Sequence, residues 1–149
     1  MASTVTAATA TITISENIVL NGVSYGNSIS KSFESQGEVI QRIMNIGVAF
    51  TEIFNATTVD GRGQVVVNDW CYFRITNLDD TNFVTLRLTN TATDSQFFKL
   101  EAGESFFLMS PDIDIDDAGS TFVAFADIDE IAVEAAVAAC DVEFLMITK

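Results

Sequence analysis

Apolar and polar residues alternate along much of this chain, with the period of two that is typical of β-strands. The alternation is clearest at residues 10–14, 72–76 and 83–88. Period two places one set of side chains on a core face and the other set on the solvent side of a sheet. Strand-like segments recur every 8–12 residues with few helix signals. The sequence therefore predicts an all-β chain folded as a single-domain antiparallel β-sandwich of the jelly-roll kind.

The N-terminal part of the chain predicts an arm and a hairpin. Residues 1–10 are small and lack an anchoring aromatic side chain, so we expect an extended N-terminal arm that is disordered alone or lies on a neighbour. Residues 11–149 then form the sandwich domain. A first strand at about 10–20 ends at Asn21-Gly22, a dipeptide that strongly favours a hairpin turn, and a weaker second strand follows.

Two segments fit either a helix or a strand. Residues 38–46 can place apolar side chains on one helical face or on one strand face, and their β-branched residues and the following Gly47 favour the strand. Residues 130–140 could form a short helix, although we otherwise expect strands near 129–135 and 139–148.

Length and charge narrow the range of functions. A chain of 149 residues with 48% hydrophobic residues suits one folded domain. The net charge of −14 argues against nucleic acid as a partner, because that binding depends on Lys and Arg that replace phosphate counterions. Residues 101–149 hold twelve of the 21 acidic side chains and one basic side chain. Such an uneven charge is typical of a solvated face, and it could also meet a basic partner surface.

The two cysteines and the apolar segments bear on location. Cys71 and Cys140 lie in strand-like runs, where a thiol packs as a small hydrophobic group. We expect no disulfide between them, which fits synthesis in a reducing cytoplasm. The N-terminus lacks the basic and apolar regions of a signal peptide, and no apolar run approaches the roughly 20 residues that span a bilayer. The sequence therefore predicts a soluble chain without a membrane partner.

No group of residues in the sequence points to catalysis. Histidine, the usual base of a hydrolase nucleophile, is absent. The sequence also lacks a glycine-rich phosphate loop between a strand and a helix. We therefore expect neither an enzyme nor a bound cofactor.

An acidic run in the last third of the chain superficially resembles a calcium loop. Its Asp-x-Asp-x-Asp spacing fits, but Asp117 stands where the loop needs its turn glycine and Val123 where it needs a bidentate glutamate. We interpret the run as an acidic edge strand whose charges face solvent and discourage edge-to-edge aggregation. Docking to a basic partner and a calcium site are the two alternatives. The residues of this candidate calcium site are Asp112, Asp114, Asp116, Asp127 and Asp129.

Three stretches, residues 72–79, 82–88 and 100–108, together resemble small structural proteins of tailed-phage virions. An Arg-Ile-Thr-Asn-Leu-Asp run, a following strand and a Leu-x-Ala-Gly-Glu-Ser hairpin are similar to the jelly-roll core of such proteins. The resemblance covers roughly residues 70–148, and no catalytic or binding residue carries over from it.

The resemblance implies a β-sandwich that is made in the host cytoplasm and joins the virion as a head decoration, or cement, protein on the capsid surface. Its partners would be copies of itself, as a dimer or trimer, and the major capsid protein. A tail or filament subunit that assembles through its N-terminal arm is one alternative. A carbohydrate- or receptor-binding module that uses Trp70 or Tyr72 is another, and a calcium-dependent adhesin domain is a third.

Overall fold

The computed structural model describes residues 8–35, 37–56, 65–67, 69–109, 114–116 and 125–148. All of the regular secondary structure in these ranges is β-strand, and every strand pairing is antiparallel. The predicted all-β class is confirmed. The helix alternatives are wrong, because the two ambiguous segments contain strands at Val39–Ile46 and Ala126–Ala135.

The first four strands form a two-stranded ribbon. Strand β1 (Ala8–Ser15) pairs with β4 (Ser28–Ser35), and β2 (Val19–Leu20) pairs with β3 (Val23–Ser24). One constant register runs through both pairs, so they are two parts of a single hairpin. We call residues 8–35 the ribbon.

Residues 39–148 contain the two larger sheets. Sheet 1 has the strand order β10 (Ser105–Leu108), β7 (Trp70–Asn77), β13 (Cys140–Thr148) and β5 (Val39–Ile46). In sheet 2, β12 (Ala126–Ala135) pairs with β8 (Val84–Asn90), which pairs with β9 (Ser95–Leu100). Strands β6 (Thr51–Asn55) and β11 (Asp114–Ile115) pair with β12 on the side away from β8.

The hydrophobic core lies between sheet 1 and sheet 2. Along β8 every second side chain is buried and the alternate ones are half-buried, which is the pattern of a strand with one core face. Phe73 is fully buried, and truncating such a side chain to alanine costs about 3–5 kcal/mol. Fully buried core side chains from both sheets include Phe73, Ile75 and Val142 of sheet 1 and Leu86, Ile131 and Val133 of sheet 2.

A buried asparagine closes one end of the sandwich. Asn77, the last residue of β7, is fully buried. Its Nδ2 donates to the carbonyl oxygens of Asn82, Leu100 and Glu101 at 2.9, 3.2 and 3.2 Å, and its Oδ1 accepts from the Asp79 N–H at 3.1 Å. One side chain therefore ties the β7–β8 loop to the β9–β10 loop.

Replacing this asparagine should destabilise the fold. We expect Asn77→Ala to lower the free energy of unfolding by about 2–4 kcal/mol, because it leaves buried backbone groups without hydrogen bonds. Urea denaturation measures the loss. The matched control is Asn45→Ala, which removes an exposed hydrogen bond to Asp141 and should cost less than about 0.5 kcal/mol. Equal losses for the two variants would contradict this role.

The same loop makes stability depend on pH. The Asp79 carboxylate accepts hydrogen bonds from the N–H groups of Asn82 at 2.6 Å and Thr81 at 2.8 Å, and these bonds hold the pKa of Asp79 below its usual value. A carboxyl with a lowered folded-state pKa stabilises the protein above its unfolded-state pKa, and this contribution disappears as pH falls through the folded-state value.

We therefore expect the stability gap between the wild-type protein and Asp79→Ala to be largest near neutral pH. It should shrink as the pH falls below the usual aspartate value of 3.8. Urea denaturation of both proteins across that range is the measurement. A gap that stays constant, or widens in acid, would show that the charged form of Asp79 does not hold the loop.

Candidate functional site

The ribbon has one apolar face and one hydroxyl face. Side chains alternate along both of its long strands, so residues in register share a face. On the hydroxyl face Thr11 bonds Ser32 at 3.1 Å and Thr13 bonds Ser30 at 2.9 Å. The apolar face carries Ala10, Ile12, Ile14, Ile29 and Phe33, with Lys31 between the last two.

The turn of the ribbon and one close approach between its strands each require particular residue types. Asn21 and Gly22 have φ values of 51° and 79°, the left-handed pair that a type I′ turn requires, so the predicted hairpin turn is confirmed. A Cβ atom at Gly26 would lie 2.0 Å from the carbonyl oxygen of Glu16. No side chain fits at that distance, so the close approach of the two strands at this point requires glycine.

The base of the ribbon is fastened to the sandwich. Its apolar face packs on the outer face of sheet 1, the face turned away from the core, and Phe33 is buried there with Cys71, Tyr72 and Ile147. Lys31 Nζ also donates to the Met109 carbonyl oxygen at 3.2 Å. The base is therefore held by both burial and hydrogen bonding.

The tip of the ribbon, residues 14–29, has no such cover. Every residue from Ser15 to Ser32 is exposed. Leu20 stands opposite Val23, Ile14 stands opposite Ile29, and the Ile18 carbonyl accepts from the Tyr25 N–H at 2.8 Å. Ile14 is half-buried. The other large apolar side chains of the tip are 52% to 65% exposed, and these are Ile18, Val19, Leu20, Val23, Tyr25 and Ile29.

A second exposed apolar surface lies on β5. This strand is an edge of sheet 1, and in the described part of the chain its only sheet neighbour is β13. Val39 and Ile43 stand on the outer face, opposite Ile147 and Glu143, and each is 66% exposed. An exposed ribbon tip and an exposed edge strand are the two most prominent apolar surfaces of the N-terminal third.

The structure brings only some of the candidate calcium residues near each other. Asp114 on β11 stands directly opposite Asp127 on β12, and Asp116 follows at the end of β11. Burial raises the pKa of Asp129, and the neighbouring Glu130 charge adds to the effect. Asp112 lies outside the described residues. Among the residues that are described, no three acidic, histidine or cysteine side chains group together as metal ligands, and the site stays a prediction.

The aromatic residues considered for sugar binding lie in the interior. Trp70 is 3% exposed and packs edge-to-face on Phe54 with ring centroids 6.4 Å apart. Tyr72 is buried under the base of the ribbon, and burial raises its pKa. Neither ring offers a face on which a sugar could stack.

Cys71 and Cys140 are thiols in the structure, and both are buried. They belong to different apolar clusters, Cys71 to the base of the ribbon and Cys140 to the main core. Burial raises the pKa of Cys140, and the Asp79 carboxylate adds to the shift. A buried thiol with a raised pKa is a poor nucleophile.

The structure also reveals surface groups that sequence reasoning missed. On the outer face of sheet 2, Arg87 forms an ion pair with Glu130 and lies over the Phe50 ring, 4.5 Å from its centroid. The exposed Phe97 ring is 6.2 Å from that of Phe50. Phe97 stands opposite Arg87 on the neighbouring strand. The sequence could have indicated the grouping of these side chains only if the strand pairing had been known.

A compositional signal could have identified the ribbon as separate from the core. None of the twelve phenylalanines occurs before Phe33. A segment without large aromatic side chains contributes little to a core, and the structure accordingly places residues 8–32 outside it. The exposed element is thus longer than the ten-residue arm of the sequence interpretation, of which residues 1–7 lie outside the described ranges.

Comparison with protein-family models found no match, and comparison with curated proteins found none either. No helix in the described ranges is long and apolar enough to span a membrane.

The close approach at Gly26 can be tested directly. We expect Gly26→Ala to disrupt the ribbon between its base and its tip, because the new Cβ atom would collide with the Glu16 backbone. Amide hydrogen exchange at Glu16 and Tyr25 should become faster, while the melting temperature of the sandwich changes little. Gly47→Ala is the control, since a Cβ atom there meets nothing within 4 Å. Unchanged exchange in Gly26→Ala would refute this account.

Proposed function

We propose that this chain is a non-enzymatic structural subunit of a virion, a decoration or cement protein that binds the phage head and stabilises it. The observation that carries the proposal is the ribbon, whose base is anchored on the sandwich and whose apolar tip lies in solvent. The major capsid protein and further copies of this chain are the partners. The site of action is the capsid surface, after synthesis in the host cytoplasm.

Strand order supports a jelly roll as the scaffold of this subunit. Between residues 39 and 148, β5 pairs with β13, β6 with β12, β7 with β10, and β8 with β9. If the two-residue β11 is set aside, these are the first and eighth, second and seventh, third and sixth, and fourth and fifth strands. Such nested pairing is what results when one long hairpin is rolled into two sheets, an architecture that viral capsid domains use.

The energetics of the ribbon support a role in assembly. A two-stranded hairpin by itself is at best marginally stable in water. Exposed apolar patches on soluble proteins commonly mark interaction sites, because water contact with these side chains is unfavourable. Burying the exposed part of each large side chain in a partner would contribute about 1 kcal/mol. Repeated over many copies on one particle, modest contacts of this size produce a stable array.

The distribution of charge supports the same role. Residues 51–149 hold eighteen acidic and five basic side chains, whereas residues 1–50 hold three and two. An acidic sandwich keeps copies apart in solution, and the nearly neutral N-terminal part can approach a partner without this repulsion.

The ribbon also favours a second candidate, a tail or filament subunit. A projecting hairpin whose two edges pair with no other strand among the described residues can add to a sheet of the next subunit, and repeated head-to-tail addition forms an open polymer. Both candidates place the ribbon at the interface and differ in the particle that is built.

The test is the association of the protein with particles assembled from the genome that encodes it. We expect purified particles to contain many copies per particle by quantitative mass spectrometry, with immunogold label over the heads. Label along tails or filaments would favour the second candidate, and absence from every particle would overturn both.

A ribbon-shortened variant tests the role of the tip in this binding. Deleting residues 15–20 and 23–28 joins Ile14 and Ile29 through the Asn21-Gly22 turn and keeps the base register. We expect the variant to melt like the wild-type protein and to bind particles at least about tenfold more weakly. Exposed Val137→Ala, on the β12–β13 loop, serves as the control and should bind normally.

A further inference from the structure

We propose that the apolar face of the ribbon tip docks on the outer face of sheet 1 of a second copy of this chain, along β5. The inference deepens the proposed function and rests on it only in treating the ribbon as an assembly element. It assigns the donor surface to residues 14–29 and the acceptor surface to the exposed side of β5.

Continuity with the base of the ribbon supports this acceptor. The apolar face of the ribbon runs from Ala10 and Phe33 at the base to Leu20 and Val23 at the tip. At the base, this face packs on the outer face of the ribbon's own sheet 1, where it buries Ile147. The apolar face of the ribbon therefore already packs on the outer face of sheet 1. The exposed part of that outer face, around β5, is the surface on which we expect the tip of a second copy to bind.

The two surfaces match in chemistry and in length. Val39 and Ile43 on β5 are exposed aliphatic side chains, like those of the tip. The tip spans seven residues per strand and β5 spans eight, which correspond to about 24 Å and about 27 Å. Ile147 lies beside Val39 in the sheet. The binding surface for a second copy's tip would therefore adjoin the surface that the chain's own ribbon covers.

The distribution of charge permits another copy of this chain to bind at this location. Two molecules that each carry a net charge of −14 repel each other over most of their surfaces. The tip contains one acidic side chain, Glu16, and β5 contains none. Glu143, which stands opposite Ile43 on the neighbouring strand, forms an ion pair with Arg74 at 3.0 Å. Contact between the tip and β5 therefore adds little repulsion at the contact itself.

The area of one tip indicates how the copies are arranged. A ribbon face about 24 Å long and about 10 Å wide covers about 240 Å², well below the roughly 800 Å² per partner of a standard interface. If every copy both inserts a tip and receives one, as in a closed pair or ring, the contact doubles. We therefore expect reciprocal docking and weak association in solution, which the attachment of many copies to one particle would strengthen.

Disulfide trapping between two variants that each carry one added surface cysteine tests the contact. Leu20→Cys places a thiol on the tip, and Ile43→Cys places one on β5, while the native thiols are buried. Mixing the two proteins under mild oxidation should yield at least about tenfold more mixed disulfide than mixing Leu20→Cys with Val137→Cys. Val137 is the matched control because it is 75% exposed and lies on neither surface.

Equal yields in the two mixtures would overturn the proposal. A product dominated by Leu20→Cys homodimers would also overturn it, because tips would then meet tips. As a second measurement, light scattering at high concentration should detect oligomers for Val137→Asp and only monomers for Leu20→Asp. Monomers for both, and for the wild-type protein, would also overturn the self-contact.

The disulfide test and the particle-association test can give different results, so the two proposals can fail independently. Particles that carry the protein without any specific tip-to-β5 disulfide would leave the virion role standing and refute this contact. A specific disulfide in a protein that no particle contains would establish the contact and refute the virion role.

Discussion

The pairing of β13 with two neighbours is the interaction on which the rest of the structure depends. One edge of this strand binds β5 along its length and the other binds β7, so the last described strand joins the first strand of the sandwich to its interior. Its inner face contributes Val142, Phe144 and Met146 to the core, and its outer face contributes Leu145 and Ile147 to the seat of the ribbon. The core, the free edge at β5 and the anchoring of the ribbon therefore all require the same strand.

This arrangement separates the molecule into a stable scaffold and an exposed element. Two sheets that share a buried core resist local opening, whereas a ribbon held only at its base opens at low cost. The acidic side chains lie mainly on the scaffold and the exposed aliphatic side chains of the N-terminal third lie on the ribbon and β5. This separation suits the proposed assembly subunit, because an acidic scaffold keeps copies apart while the tip stays accessible to a partner surface.

Periodicity in the sequence was sufficient to predict where the strands lie, and it was insufficient to predict which strands pair with each other. The alternation in β7 and β8 predicted strands at those positions, and Asn21-Gly22 predicted its turn, because both signals act within a few residues. The alternation in β1 looks the same as that in β8, yet β8 has a sheet neighbour on each side and one face on the core, whereas β1 lies in the ribbon. Local pattern indicates that a strand has two faces and contains no information about what covers each face.

The acidic segment and the aromatic residues illustrate the same division. The sequence suggested five aspartates that could converge, and strand pairing brings Asp114 opposite Asp127. The sequence also allowed Trp70 to be either a surface residue or a core residue, and its packing against Phe54 shows that it belongs to the core. By itself the sequence determined the all-β class, the hairpin turn and the acidic character. Only the tertiary structure decided that residues 8–35 form a projecting ribbon and that β5 is an edge strand of the described sheet 1, because strand partners are chosen by contacts between residues far apart in the chain.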